Sequence, residues 1–113
     1  MDLCFIEDGY SRETTIPAVP GLHPALSVRF RPALAEVRFE YLRANDLNAK
    51  EQVARVAKVL KAHLESWDAK KRDGGTADIT EALLARLHPA LLQRLLDLVL
   101  GYSPADQATD AKN

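Results

Sequence analysis

The sequence contains a single cysteine, no excess of either charge and no long apolar run. A lone Cys4 excludes an internal disulfide and fits a reducing compartment. The 15 basic and 16 acidic residues give a net charge of -1, which excludes a global positive field that would attract nucleic acid or an anionic membrane. The most apolar stretch, 91–100, is interrupted by Gln93, Arg94 and Asp97, whereas a membrane span needs about 20 apolar residues. We therefore expect a soluble protein that acts where it is made.

The chain has 113 residues, the length of one domain, which excludes a two-domain dinucleotide-binding enzyme or a barrel enzyme. Hydrophobic residues make up 47% and charged residues 27%, as in ordinary folded proteins. We predict one globular domain over residues 1–102, with a hairpin region at 10–31 and a helical region at 32–101. Residues 103–113 lack large apolar side chains and are expected to form a flexible polar tail.

The first third of the chain predicts strands, because prolines interrupt it and short runs of β-branched and aromatic residues lie between them. From residue 26 to 31, apolar side chains alternate with serine and arginine, which places the apolar ones on one face of a strand. We expect a partner strand within 10–16, joined through the 17–24 connection. The predicted fold class is α+β, mainly helical, with about four helices and a small N-terminal antiparallel β-hairpin.

The first two helices follow this hairpin. The first is expected to begin near Pro32 and to end at Asn45-Asp46. Its apolar side is formed by Leu34, Val37, Phe39, Tyr41 and Leu42. The second is expected over about 49–67, because Asn48 and Glu51 suit a capping box and apolar residues recur three and four positions apart as far as Trp67.

The third and fourth helices are marked by their ends. Thr80 suits the N-cap of the third helix, with Ile79 and Leu84 forming a hydrophobic staple across the cap. Pro89 suits the first position of the fourth helix, and Gly101 suits its stop. A charged loop is predicted between the second and third helices, over 68–78.

The fourth helix carries apolar side chains around most of its circumference, which a domain of this size hardly covers. Two alternatives follow: complete burial, or an exposed side that binds a partner or a second copy. The candidate partner-binding residues are Leu91, Leu92, Leu95, Leu96, Leu98 and Val99. Two interpretations are also open for Trp67, the one tryptophan. The favoured one is a core residue that fills the space under the 68–78 loop, and the other is a partner-binding hot spot.

The sequence carries no pattern of catalytic or metal-binding residues. The three histidines, His23, His63 and His88, are widely spaced, and with Cys4 they form neither a zinc-ligand pattern nor a nucleophile–base pattern. The glycine pair at 74–75 neither follows a strand nor precedes Gly-Lys-Ser/Thr, so it does not predict a phosphate loop. We predict a protein that is not an enzyme, with no catalytic residue, metal or cofactor.

Charge is distributed unevenly along the chain. Residues 50–72 carry seven basic and three acidic residues, whereas 73–113 carry six acidic and three basic ones. One interpretation places Lys58, Lys61 and the basic run at 70–72 on phosphates of a nucleic acid. The favoured interpretation is a solvated helix face with a positive C-terminal end that complements the helix dipole. Accordingly, neither nucleic acid nor membrane is an expected partner.

Several stretches share an order of features that is typical of one family. Residues 63–68 end a helix near a tryptophan, 78–84 carry an Ile-Thr-x-x-x-Leu helix start, and 87–101 form a leucine-rich helix that closes on Leu-Gly. In this order the chain resembles tail assembly chaperones of long-tailed phages and prophages. The front, at 16–23 and 30–32, is similar to phage proteins of this kind, so the resemblance spans about residues 10–101.

The resemblance implies a non-enzymatic assembly factor in the bacterial host cytoplasm, which binds the tape-measure protein and recruits tail-tube subunits. Such factors are generally absent from the finished particle. Many are also made in an extended form by a ribosomal frameshift, for which the polar tail would be a suitable junction. The family offers no catalytic residues to carry over and leaves the binding residues unspecified. Two alternatives stay open: a structural tail-completion or connector component of the virion, and a small nucleic-acid-binding regulator.

Overall fold

The computed structural model describes residues 4–43 and 46–102, and over these the chain forms a three-stranded antiparallel sheet and four helices. The elements are β1 (Arg12–Ile16), β2 (Leu26–Phe30), α1 (Ala35–Arg43), α2 (Ala49–His63), β3 (Leu64–Trp67), α3 (Glu81–Leu84) and α4 (Pro89–Leu100). This architecture confirms the α+β class with an N-terminal hairpin. The expected helix end at Asn45 and the expected tail at 103–113 lie outside the described residues.

The sheet has the order β1-β2-β3, with β2 at its centre. In the β1–β2 hairpin, Arg12 lies opposite Phe30 and Ile16 lies opposite Leu26. Leu26, Val28 and Phe30 are all buried, whereas the residues between them are exposed. The alternation predicted for this strand is therefore confirmed.

The second helix ends at His63, and its expected continuation to residue 67 is wrong because Leu64–Trp67 form β3. Leu64 pairs with Phe30 and Trp67 pairs with Val28, although Leu64 and Trp67 are three positions apart. The pairing register shifts between these two pairs, as it does at a β-bulge. Both residues therefore reach the same buried face, and a spacing that is typical of a helix also fits this strand.

The end of α2 is fixed by the end of β2. Arg31 donates its backbone N–H to the carbonyl of His63 at 2.8 Å and its guanidinium to the carbonyl of Ala62. A helix leaves its last carbonyl groups without partners inside the helix. Arg31 supplies two of these partners from the sheet, which favours a strand rather than another helical turn after His63.

The other helix ends confirm the predicted caps. Asn48 Oδ1 accepts the Glu51 N–H at 2.8 Å, and Glu51 Oε1 accepts the Asn48 N–H at 3.0 Å, which completes the capping box of α2. Thr80 Oγ1 accepts a backbone N–H bond of 3.1 Å at the start of α3. Pro89 is the first residue of α4, and Gly101 ends it in the left-handed region with a φ of 85°.

The core lies against the inner face of the sheet and includes residues from α2, α3 and α4. Its most deeply buried large side chains are those of Ile16, Phe30, Leu60, Leu84, Leu95 and Val99. Trp67 is buried too, and its Nε1 donates to the carbonyl of Ala77 at 2.7 Å. Trp67 therefore plugs the core beneath the 68–78 loop, as predicted.

The first helix begins at Ala35, slightly after the expected start at Pro32. Residues 32–34 instead form a strap across the end of α4, where Ala33 donates its N–H to the carbonyl of Val99 at 2.9 Å. Val37 and Tyr41 pack partly buried against the core, and no residue of α1 is fully buried. The prediction of a single apolar side for this helix is therefore wrong, because its apolar residues are divided between two faces.

Candidate partner-binding surfaces

The leucine-rich helix α4 is covered within the chain. The predicted partner-binding residues are placed as follows: Leu91, Leu95, Leu96, Leu98 and Val99 are buried, and Leu92 is half-buried. Contacts with α2 and the strap at 32–34 cover this helix, together with the core side chains of the sheet. This corrects the expectation of an exposed side on α4, since this small domain does surround the helix. Exposed apolar surface lies instead around α1.

The helix α1 is attached to the body by a few polar and half-buried contacts. The Tyr41 hydroxyl accepts a hydrogen bond from Gln52 Nε2 at 3.2 Å, and Arg55 donates to the carbonyl of Glu40 at 2.8 Å. Beyond the C-terminal end of α4, the Tyr102 ring stacks on the Arg38 guanidinium of α1, whose central carbon lies 4.0 Å from the ring centre. These contacts orient α1 so that one face is turned outward.

The outward face of α1 is apolar. Ala35, Phe39 and Leu42 follow four-and-three spacing, so they share one side of the helix, opposite Val37 and Tyr41. Phe39 is 61% exposed and Leu42 is 54% exposed. We call Ala35, Phe39 and Leu42 the outward stripe. Neighbouring large apolar side chains at this exposure make the outward stripe a candidate interaction surface.

A second apolar feature lies at the beginning of α1. A groove of about 230 Å³ is lined by the N-terminal segment 6–10, by residues of the strap and α1, and by the end of α2. Three of its apolar lining residues are well exposed, namely Ile6, Tyr10 and Leu34. We call this feature the anchor groove. Its lining also includes the acidic Glu7 and Asp8 and the basic Arg31, so apolar surface is mixed with charge of both signs.

The outer face of the sheet is polar and forms an open hollow of about 490 Å³. Arg29 at its centre donates to Glu13 at 2.7 Å and lies 3.3 Å from Glu65, while the Thr15 and Ser27 hydroxyls are 2.9 Å apart. These side chains satisfy one another across the strands. Exposed ion pairs of this kind contribute about 0–1 kcal/mol each, so this face stabilises the sheet modestly.

The histidines and Cys4 were the candidate reactive residues. His23 is buried, and its Nδ1 donates to the carbonyl of Pro24 at 2.8 Å, since a carbonyl can only accept. His63 Nδ1 donates to the carbonyl of Val59 in the same way at 2.7 Å. His88 and Cys4 are exposed. Within residues 4–43 and 46–102, no group of three or more His, Cys, Asp or Glu side chains could hold a metal ion.

A basic face lies on the outside of α2. Lys50, Lys58 and Lys61 are exposed and fall within about 80° of one another at 100° per residue. Farther along the chain, Lys70 donates to the Thr76 hydroxyl at 3.3 Å, and Lys71 lies 4.0 Å from Asp73. Two basic residues of the loop are therefore engaged with neighbours, whereas Lys50, Lys58 and Lys61 of α2 are exposed.

No known protein family, curated protein or solved structure matches this chain. Among the described helices, none has both the length and the apolar character that a bilayer crossing requires. What bears on function is therefore the chemistry of the protein's own surface, above all the anchor groove and the outward stripe.

Proposed function

We propose that the protein is a non-enzymatic assembly factor of the tail assembly chaperone type, acting in the bacterial host cytoplasm through contacts with tail-tube and tape-measure proteins. The resemblance in residues 63–101 supports this proposal. In the structure those residues form β3, the loop after it, α3 and α4, which belong to the core and its covering. The buried leucines of α4 are occupied by the core, so we assign the binding role to another surface, and the observation that carries the proposal is the anchor groove.

The dimensions of the anchor groove favour a protein partner over a small molecule. Sites for drug-sized ligands enclose about 300–1,000 Å³, and the groove, at about 230 Å³, falls below that range. It suits one or two apolar side chains of a partner. Interfaces commonly combine a buried apolar anchor with a polar rim. Ile6, Tyr10 and Leu34 supply the apolar part here, and Glu7 and Arg31 supply charged groups beside it.

The experiment is co-expression with phage tail-tube and tape-measure proteins, followed by affinity capture and titration. Leu34→Asp should weaken capture at least tenfold, because it places a charge in the apolar part of the groove. Leu34 is 54% exposed, so the fold should persist. Leu22→Asp is the matched control, since Leu22 is 53% exposed and lies in the hairpin connection, and it should bind normally.

Two results would overturn the proposal. One is a wild-type protein that captures neither the tail-tube nor the tape-measure protein. The other is equal binding by Leu34→Asp and the wild type. Recovery of the protein from purified virions would favour the alternative of a structural tail-completion or connector component.

The basic face of α2 supports a second candidate, a small nucleic-acid-binding regulator. Lys50, Lys58 and Lys61 point to solvent along one side of the helix, as phosphate-binding residues do. This candidate requires a mobility shift of DNA or RNA that weakens steeply with salt. Replacing Lys58 and Lys61 by Glu should abolish that shift, and a wild type that binds no nucleic acid at low salt would remove the candidate.

A further inference from the structure

We propose that the outward stripe pairs with the outward stripe of a second copy of this chain, with the two α1 helices antiparallel about a two-fold axis close to Phe39. The stripe lies on the face of α1 opposite the body, and Phe39 and Leu42 are more than half exposed. The anchor groove takes no part in this pairing, so the dimer stands independently of the proposed function.

The charges beside the stripe are self-complementary. Glu36 and Arg43 are seven positions apart, which is nearly two helical turns, so they lie on the same edge of the stripe. In an antiparallel pair centred between residues 39 and 40, Glu36 of each copy faces Arg43 of the other. Two-fold symmetry forms this contact twice. A parallel pair places the edges that carry Glu36 and Arg43 on opposite sides of the contact, so this pairing forms only in the antiparallel arrangement.

The apolar residues fit the same centre. Phe39 lies beside the symmetry axis and meets Phe39 of the second copy, as aromatic side chains do at the centre of many interfaces. Leu42 then falls opposite the space between Phe39 and Ala35 of the second copy. Ala35 is small, so it leaves room for Leu42 at each end of the pair.

The charged residues near the stripe are free to take part. Arg43 lies 3.7 Å from Glu40 of its own helix, but both side chains are strongly exposed, and such a contact contributes little. Arg38, on the other edge, stacks on Tyr102 and is directed away from the stripe. Residues 103–113 contain no large apolar side chain that could cover the stripe instead.

The length of α1 sets the strength of the pairing. Nine residues extend for about 13.5 Å, so the contact is far smaller than the roughly 800 Å² per partner of a standard interface. We therefore expect a weak dimer, in which half of the chains are paired at roughly 10–100 μM. Sedimentation at several concentrations measures such an equilibrium.

The test is sedimentation equilibrium of the full chain between roughly 5 and 500 μM, concentrations that extend beyond that range at both ends. Glu36→Arg alone and Arg43→Glu alone should each weaken dimerisation at least fivefold, because each opposes like charges. A 1:1 mixture of these two variants should restore dimers, since each Arg then faces a Glu. The double variant carrying both changes should also dimerise like the wild type.

Phe39→Asp should give a monomer with an unchanged circular dichroism spectrum, and Leu22→Asp should dimerise normally. A wild type that stays monomeric at 500 μM, or single charge variants that dimerise like the wild type, would overturn the proposal. If the wild type is a monomer and captures a tail protein, and Phe39→Asp loses that capture, then the outward stripe binds the tail protein and not a second copy. The two proposals are tested separately: Phe39→Asp should lose dimers and keep capture of the tail protein, whereas Leu34→Asp should lose capture and keep dimers.

Discussion

Leu60 is fully buried, and its side chain belongs to the cluster shared by the sheet and the helices. Leu60→Ala removes those contacts and leaves a cavity, so it should lower the free energy of unfolding by about 2–5 kcal/mol. That loss is a large part of the free energy of unfolding of a typical domain, which is about 5–15 kcal/mol. Urea denaturation followed by circular dichroism measures it.

Leu22→Ala provides the control for this prediction at the same scale. Leu22 is 53% exposed, so its truncation should change the free energy of unfolding by less than about 0.5 kcal/mol. A similarly small effect of Leu60→Ala would show that α2 turns a different face to the core.

At the scale of the single element, α2 depends on the capping box at its first turn. Asn48→Ala removes the acceptor of the Glu51 N–H and should lower the free energy of unfolding by about 0.5–2 kcal/mol. Asn48→Gly should cost only a few tenths of a kcal/mol, because glycine has no side chain that would shield the N–H groups of the first turn from water. Equal losses in both variants, measured by urea denaturation, would argue against a capping role for the Asn48 side chain.

The sequence predicted the elements whose signals are local. The caps at Asn48, Thr80 and Gly101 depend on residues within one turn, and the alternation in β2 depends on adjacent positions. The strand β3 could not be predicted in this way. Its two buried residues, Leu64 and Trp67, have helical spacing, and the bulge that lets a strand use that spacing depends on pairing with a distant part of the chain.

The candidate surfaces were predicted less well than the fold. The leucines of α4 were expected at a partner interface, but their coverage depends on the strap at 32–34 and on α2, which are remote in sequence. Phe39 and Leu42 were assigned with Val37 and Tyr41 to one apolar side. The helical period could have predicted the observed arrangement, since it places Phe39 and Leu42 on one face of this short helix and Val37 and Tyr41 on the other.

At the scale of the whole molecule, the hairpin and the helices share one core. Ile16, Leu26, Val28 and Phe30 of the hairpin belong to the same cluster as the buried residues of α2 and α4. A fragment of residues 32–113 would expose the partners of these side chains to water. It should therefore lack cooperative thermal unfolding, as measured by circular dichroism, whereas the full chain should unfold cooperatively. A fragment that unfolds cooperatively would show that the helices form a core by themselves.

The direct passage from α2 to β3 governs how the protein moves. His63 ends the helix and Leu64 begins the strand, so no loop separates them and neither element can rotate without twisting the other. Backbone amides in the last turn of α2 and in β3 should therefore exchange with deuterium at similar rates, through one shared opening. Amides of α1 should exchange faster, because no residue of α1 is fully buried and only Val37 and Tyr41 pack against the core. Hydrogen exchange followed by NMR measures both rates, and much faster exchange in the last turn of α2 than in β3 would show that the two elements open separately.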